Sequence, residues 1–433
     1  MGEMFPIVLI TLSLFVMLGF GVWVGLALLS TGVVTVLLYS STNFGGPMAT
    51  TIWSHLSPWG LTSLPLFIWM GEILFRSNLS VSLFQGLSPI LRRLPGGLLH
   101  VNIAGCSTFA AISGSSAATL ATVGKMTIPE LRKRGYPESL TLGTLAGAST
   151  LGLLIPPSIN LIVYGVVVDE SIGRLFIAGV IPGIVLTLLF AGYVFGWGVF
   201  TEAGRAMREQ PASLREIGAG LIKIIPVVVL MGGITGSIFF GFAVPTEAAA
   251  VGVIGALLVS GFQRTLTVDG LIQSLMGAVA TTSMVMLLLM GSAFLNYAMS
   301  LSGLPSLLAD WIAQFELSAL GLIMCLTLLY LILGMFLDGF SMILLTMVVV
   351  EPMVRNAGID LIWFGVFMVI VGEMALITPP IGFNLFMIQG ITGKDIGFVA
   401  KAALPMFLLM FLCLILLIAF PQMALWLPEY MNN

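Results

Sequence analysis

Charge is what this sequence has least of. Only 8% of its 433 residues are Asp, Glu, Lys or Arg, against roughly 25% in soluble domains. The apolar share is 58% and the mean hydropathy is +1.12. No water-soluble core absorbs that much apolar sequence, so lipid is the solvent for most of the chain. Histidine is nearly absent, and His55 and His100 stand far apart. Neither a His-x-x-x-His pair nor a glycine-rich phosphate loop occurs, which argues against a metalloprotease or a built-in ATPase. Cys106, Cys325 and Cys413 lie singly in apolar surroundings, without metal-ligand spacing or a disulfide framework. No basic patch is large enough for nucleic acid. The apolar start lacks a positively charged leader region and runs on as membrane sequence, so no cleaved signal is expected. Glycine, by contrast, is abundant: 50 residues, which suits close helix packing in lipid.

The run from about Phe5 to Leu38 would be about 50 Å long as one helix, beyond the roughly 30 Å hydrocarbon core. Gly19 and Gly21 divide it into two crossings. The Gly-, Ser- and Trp-rich stretch from Asn43 to Pro58 reads as a loop or an interfacial helix. Further crossings are expected near 61–75, 140–164, 174–198, 219–240, 245–260, 272–298, 361–390 and 398–426, the 361–390 segment being long enough to require a break. Thr201 to Ile217, with Arg205, Arg208 and Arg215, is the aqueous loop.

Two uncharged stretches fit neither a loop nor a single crossing. One lies between Arg93 and Lys125, with Ser113-Gly114-Ser115-Ser116 near its middle; the other lies between Glu316 and Glu351 and holds a lone acid, Asp338. Lys and Arg favour the cytoplasmic side. Arg92-Arg93 and the group Lys125, Arg132, Lys133 and Arg134 flank the first stretch, so it enters and returns on one face as a re-entrant hairpin over about 94–124. Two further crossings bring Arg205, Arg208 and Arg215 inside, with Asp169 and Glu170 in the external turn. Continuing places Arg264 inside, Asp310, Glu316, Glu351 and Asp360 outside, and Lys394 and Lys401 inside again. The second hairpin, about 317–350, then enters from the opposite face. The expected fold is an all-α polytopic membrane protein with ten crossings, two re-entrant hairpins and broken helices.

An offset of 223 residues superposes the halves: Pro129 meets Pro352, Gly135 meets Gly358, Pro156-Pro157 meets Pro379-Pro380, and Pro182 meets Pro405. The halves, 1–216 and 217–433, each carry five crossings and one hairpin. Five is odd, so the second copy is inverted. Inverted repeats with discontinuous helices are an arrangement that binds cargo near mid-membrane. An intramembrane enzyme is disfavoured, because no paired acids or His–acid arrangement has catalytic spacing.

The breaks are the candidate sites. Unpaired backbone groups in hydrocarbon cost several kcal/mol each, so a broken helix needs protein, water or a ligand to satisfy them. Around Ser113, Gly114, Ser115 and Ser116, hydroxyl and carbonyl oxygens can surround a small cation, with Thr119 and Thr122 nearby; the bland alternative for each hydroxyl is a bond to its own helix. Pro156 and Pro157 lack backbone donors, and Ser158 and Asn160 beside them are candidates to face cargo. Thr378, Pro379, Pro380 and Asn384 form the second break, and Gly334, Asp338, Gly339 and Ser341 the second hairpin turn. Asp338 could ligate sodium, carry a proton, or brace its hairpin by accepting backbone bonds. Glu247, after Pro245-Thr246, reads as a helix cap. Glu72 and Glu373 could pair across helices.

With these residues in view, the whole chain resembles the large membrane subunit of tripartite ATP-independent periplasmic (TRAP) transporters. The matching motifs run from Ser113 to Arg134, Gly143 to Asn160, Pro245 to Ala250, Gly334 to Pro352 and Glu373 to Asn384. The resemblance implies a multi-pass permease of the bacterial inner membrane, not an enzyme, with no cofactor and sodium as the coupling ion. It implies a small four-helix membrane subunit and a periplasmic substrate-binding protein as partners, and an organic acid such as a C4-dicarboxylate or sialic acid as cargo. It implies a scaffold and a mobile elevator-type transport domain, each drawing segments from both halves. Ser113, Gly114, Ser115, Ser116, Gly152 and Pro156 would surround one sodium; Gly334, Asp338, Thr378 and Pro379 would surround the other. Ser158, Asn160, Ser341 and Asn384 would face substrate, and Pro157, Pro380 and Glu247 would be structural. A stand-alone sodium–dicarboxylate carrier and a non-transporting membrane scaffold are the alternatives.

Overall fold

The computed structural model describes residues 4–39, 43–77, 79–207, 212–303 and 318–431. Arg208, Asp310, Glu316 and Leu317, used above for orientation and for the hairpin boundary, lie outside the described residues. Within them all regular structure is helical.

The long N-terminal run divides where expected. Helix α1 is Met4–Gly19 and α2 is Val24–Tyr39, with Gly21 between them at φ +75°, a value glycine reaches without steric cost. The Trp-rich stretch forms α3, Gly45–Leu56, which buries nothing and leaves Trp53 exposed. A short 3-10 turn then leads into α4, Ser63–Phe75. Next comes α5, Leu79–Leu91, a helix that the charge pattern did not isolate.

The first uncharged stretch folds as α6, Leu99–Ser113, and α7, Ser116–Lys133. Its feet meet, because the Tyr136 hydroxyl accepts the Leu98 N–H at 3.1 Å. The next expected crossing is split into α8, Glu138–Thr150, and α9, Ile159–Val167. Helix α10, Ile172–Phe200, and the short α11, Glu202–Ala206, end the first half.

The second half opens with α12, Leu214–Phe239, whose start is fixed by a Ser213–Glu216 capping box. Then come α13, Pro245–Phe262, and α14, Val268–Ser302. The second uncharged stretch gives α15, Ala319–Gly334, and α16, Gly339–Asn356. The 361–390 segment breaks into α17, Leu361–Leu376, and α18, Phe383–Thr392. The last expected crossing is two helices, α19, Ile396–Ala419, and α20, Gln422–Tyr430, because Pro421 cannot continue the hydrogen-bond ladder.

Among the described residues, α10, α12, α13, α14, α16 and α19 are long and apolar enough to cross a membrane alone. The 13 residues of α8 reach only about 20 Å, so a crossing there requires both halves of the broken helix. Two groups of helices pack together. In one, α2 lies on α14, α4 on α13 and α14, and α5 on α12. In the other, α8 lies on α6, α7 and α19, while α15 and α16 lie on α17. Every residue of α17 is buried, as expected of a helix apolar on all faces. The 223-residue offset carries the bounds of α7 onto those of α16 without remainder, and the start of α8 onto that of α17. Gly135 and Gly358 follow these hairpins at φ +78° and +70°.

Candidate functional site

The first hairpin turns at Gly114, whose φ of +56° belongs to the left-handed region that ends helices. Ser115 follows as the N-cap of α7 and accepts the Ala118 N–H at 3.3 Å. Three oxygens converge here. The Ser115 carbonyl lies 3.1 Å from the Ser113 hydroxyl and 2.8 Å from that of Thr119, and the two hydroxyls lie 2.9 Å apart. Three close oxygen contacts thus share two hydroxyl protons. Elsewhere in the hairpin the bland alternative holds: Ser107, Thr108 and Thr127 bond carbonyls one turn back.

The first helix break lies against this turn. A methyl group added at Gly152 would sit 3.4 Å from the Ser115 carbonyl, and one at Gly114 would sit 3.2 Å from the Pro157 carbonyl. Ser113, Gly114, Ser115, Ser116 and Gly152 therefore meet in one place, with Pro156 and Pro157 buried beside them. Ser158 is turned inward: it is fully buried, donates to the Leu153 carbonyl and caps α9 through the Leu161 N–H.

The second hairpin and break are more open. Gly334 packs on Ala375, where an added methyl would lie 2.5 Å from the Ala375 Cβ. Asp338 occupies the N-cap of α16 but makes no capping bond, and it is exposed, so the geometry does not support a brace made through that cap. Pro379 is exposed and Thr378 half-buried, its hydroxyl donating to the Met374 carbonyl at 2.6 Å. At Gly382, φ +45°, an added methyl would meet the Thr378 and Leu376 carbonyls at 2.8 and 3.1 Å. Beside this break a cavity of about 320 Å³ is walled by Ile377, Thr378, Pro379, Ala400, Lys401, Leu404 and Phe407. Ser341 is buried. Both Pro-Pro bonds are cis.

Contacts that no spacing rule announced join the two halves. Asn384 is fully buried, and its amide donates to the Ser116 hydroxyl at 2.7 Å and the Ser149 hydroxyl at 3.2 Å. Asn160 is 2% exposed and its amide lies against Gly339, at the turn of the second hairpin. The side-chain oxygens of both asparagines are buried without a hydrogen-bond partner, as are both carboxylate oxygens of Glu373. The two asparagine oxygens are acceptors, the chemistry a hard cation requires. Neither acid pairs across helices among the described residues: Glu373 has no partner, and Glu72 forms an ion pair one turn away with Arg76 at 3.3 Å. Glu247 accepts the Val244 N–H at 3.0 Å and so caps α13. Among the described residues no cluster of His, Cys, Asp or Glu could hold a metal ion by side chains alone.

The sequence comparisons show a family, and the structural comparison shows a shared fold. The model of the tripartite ATP-independent periplasmic transporter DctM component matches residues 11–423. The chain is 31% identical to the C4-dicarboxylate TRAP transporter large permease protein DctM of Pseudomonas aeruginosa, covering 93% of each chain. It is 32% identical to the sialic acid TRAP transporter large permease protein SiaM of Vibrio cholerae, covering 94% of this chain and 95% of that one. It is 28% identical to the isethionate TRAP transporter permease protein DctMQ of Oleidesulfovibrio alaskensis, covering 97% of this chain and 66% of that one. In fold it is similar to the Alcanivorax borkumensis YdaH transporter, with a TM-score of 0.62 at 14% identity over 95% of this chain and 97% of that one.

Proposed function

Because the chain belongs to the DctM component family of tripartite ATP-independent periplasmic transporters, a family of membrane permeases and not of enzymes, we propose that it moves an organic anion across the bacterial inner membrane by sodium symport. A periplasmic binding protein delivers the cargo, and a small four-helix membrane subunit completes the permease. Relatives named for C4-dicarboxylates, sialic acid and isethionate favour an organic acid as cargo.

The observation that carries the sodium reading is the excess of acceptor oxygens at the turns and breaks. At the first turn three oxygens share two protons, and the Asn160 and Asn384 oxygens near the breaks are buried without donors. An oxygen-rich region repels an anion until a cation neutralises it. Sodium bound at the first region (Ser113, Gly114, Ser115, Ser116, Gly152, Pro156) and at the second (Gly334, Asp338, Thr378, Pro379) thus prepares the space between the hairpins for the anion. Lys401, at the cavity beside Thr378 and Pro379, adds positive charge on the anion's route. Each net positive charge carried inward gains about 2.3 kcal/mol per 100 mV of membrane potential. The two hairpins are re-entrant from opposite faces, the halves are inverted copies, and the hairpins with the broken helices move as one elevator against the group built on α2, α4 and α14.

The decisive measurement is uptake of labelled organic acids into sealed vesicles containing the chain and its two partners. An inward sodium gradient should drive accumulation. Equal uptake with potassium replacing sodium would reject the symport.

A further inference from the structure

We propose that Asn384 and Asn160 are positioning residues that hold the two hairpin turns, each from the opposite half of the chain. Both occupy the second residue of the half-helix that follows a Pro-Pro break: α9 begins at Ile159 and α18 at Phe383. The second half-helix starts one residue further from its Pro-Pro pair than the first does, with Gly382 at φ +45° in between. The two asparagines therefore hold the same place in their half-helices even though the 223-residue offset slips by one between them.

Their targets are equivalent as well. Ser116 is the first residue of α7 and Gly339 the first of α16, and the 223-residue offset superposes them. Asn384 reaches across to Ser116, and Asn160 reaches across to Gly339. The helices follow the same crossing, since α18 packs on α7 and α9 packs on α16. Each hairpin turn is thus held by the other half's broken helix.

The two contacts differ in chemistry. At Ser116 the asparagine finds a hydroxyl and donates to it at 2.7 Å. At Gly339 there is no side chain, and a methyl group there would strike the Asn160 amide. Full burial of Asn384 and the close seating of Asn160 leave cargo no access to them without moving a hairpin. Their effect on transport is exerted through the turns: a cation gathered at one hairpin is felt by a helix of the other half. This coupling rests on the sodium symport proposed above, while the contacts themselves do not.

Two arms of one experiment test the idea, both using the full chain with its partners in vesicles and matched amounts of folded protein. In the first arm, Asn160→Ala and Gly339→Ala should each depress uptake, Gly339→Ala about tenfold, the scale of one lost buried contact, and the double variant should be no worse than the more impaired single variant. Multiplying losses in the double variant would overturn the Asn160 contact, whatever ion drives transport. In the second arm, Asn384→Ala should raise the sodium concentration for half-maximal uptake about tenfold while leaving the maximal rate within about twofold. Combined with Ser116→Ala, it should be no worse than the more impaired single variant. Multiplying effects, or a fall in maximal rate at unchanged sodium dependence, would overturn the positioning role. Wild-type uptake indifferent to sodium would instead defeat the symport and leave the first arm to decide on the contact.

Discussion

At the scale of single residues, the first turn is sensitive because its geometry is exacting and its oxygens are crowded. Gly114 has φ +56°, and a side chain there would approach the Ile159 Cγ1 to 3.0 Å. Gly114→Ala should lower stability by roughly 1–2 kcal/mol from backbone strain alone, seen as a fall in the thermal midpoint of the detergent-purified protein. An unchanged midpoint would mean the turn can relax. Ser115→Ala removes the α7 cap, a loss of about 1 kcal/mol, but keeps the carbonyl that meets Ser113 and Thr119. It should weaken uptake more than it lowers the amount of folded protein, and parallel losses of both would make Ser115 a structural residue only. Lys401 is a different case, since it borders an open cavity. Lys401→Gln should raise the KM for the organic anion with little change in sodium dependence. A KM equal to wild type would reduce Lys401 to an interfacial anchor whose charge sits in the headgroups.

At the scale of elements, the sequence made the breaks visible and left their partners hidden. Glycine, paired prolines and the absence of charge are local signals, and they marked the turn at Gly114, the break before α9 and the break before α18 within a few residues. Charge scarcity could not isolate α5, because that helix lies between Phe75 and Arg92 without a long apolar run of its own. Nor could spacing pair Asn384 with Ser116 across 268 residues, or show that Asp338 is exposed rather than buried. Those facts depend on how distant helices pack, which no local pattern encodes. The hairpin reading itself can be tested element by element. Tyr136 clasps the start of α6 to the end of α7, so both feet of that hairpin lie together. In a background lacking Cys106, Cys325 and Cys413, Arg93→Cys and Lys133→Cys should react with a membrane-impermeant thiol reagent from the same side, in vesicles of known orientation. Labelling from opposite sides would turn the hairpin into a single crossing.

At the scale of the molecule, the elevator proposed above requires one group of helices to slide against another, and the contact between α14 and α16 is where such sliding would be felt. Helix α14 packs with α2 and α4, while α16 packs on α17 and α9 and also on α14. The Ser292 hydroxyl bridges them by donating to the Leu344 carbonyl at 2.7 Å. A contact of that kind must break if the groups slide, and its equivalents within a group must not. Tyr330 and Thr346, 3.0 Å apart across the arms of one hairpin, provide the internal control. A Ser292→Cys and Leu344→Cys pair joined by a short thiol cross-linker should arrest uptake, and reduction of a cleavable linker should restore it. The Tyr330→Cys and Thr346→Cys pair, joined in the same way, should retain the uptake of its own unlinked form, because both residues travel together. Persistent uptake in the first linked pair would mean that α14 and α16 move as one body. The permease would then have to alternate by bending at the Pro156-Pro157 and Pro379-Pro380 breaks, with the hairpins opening in turn while the groups stay in register.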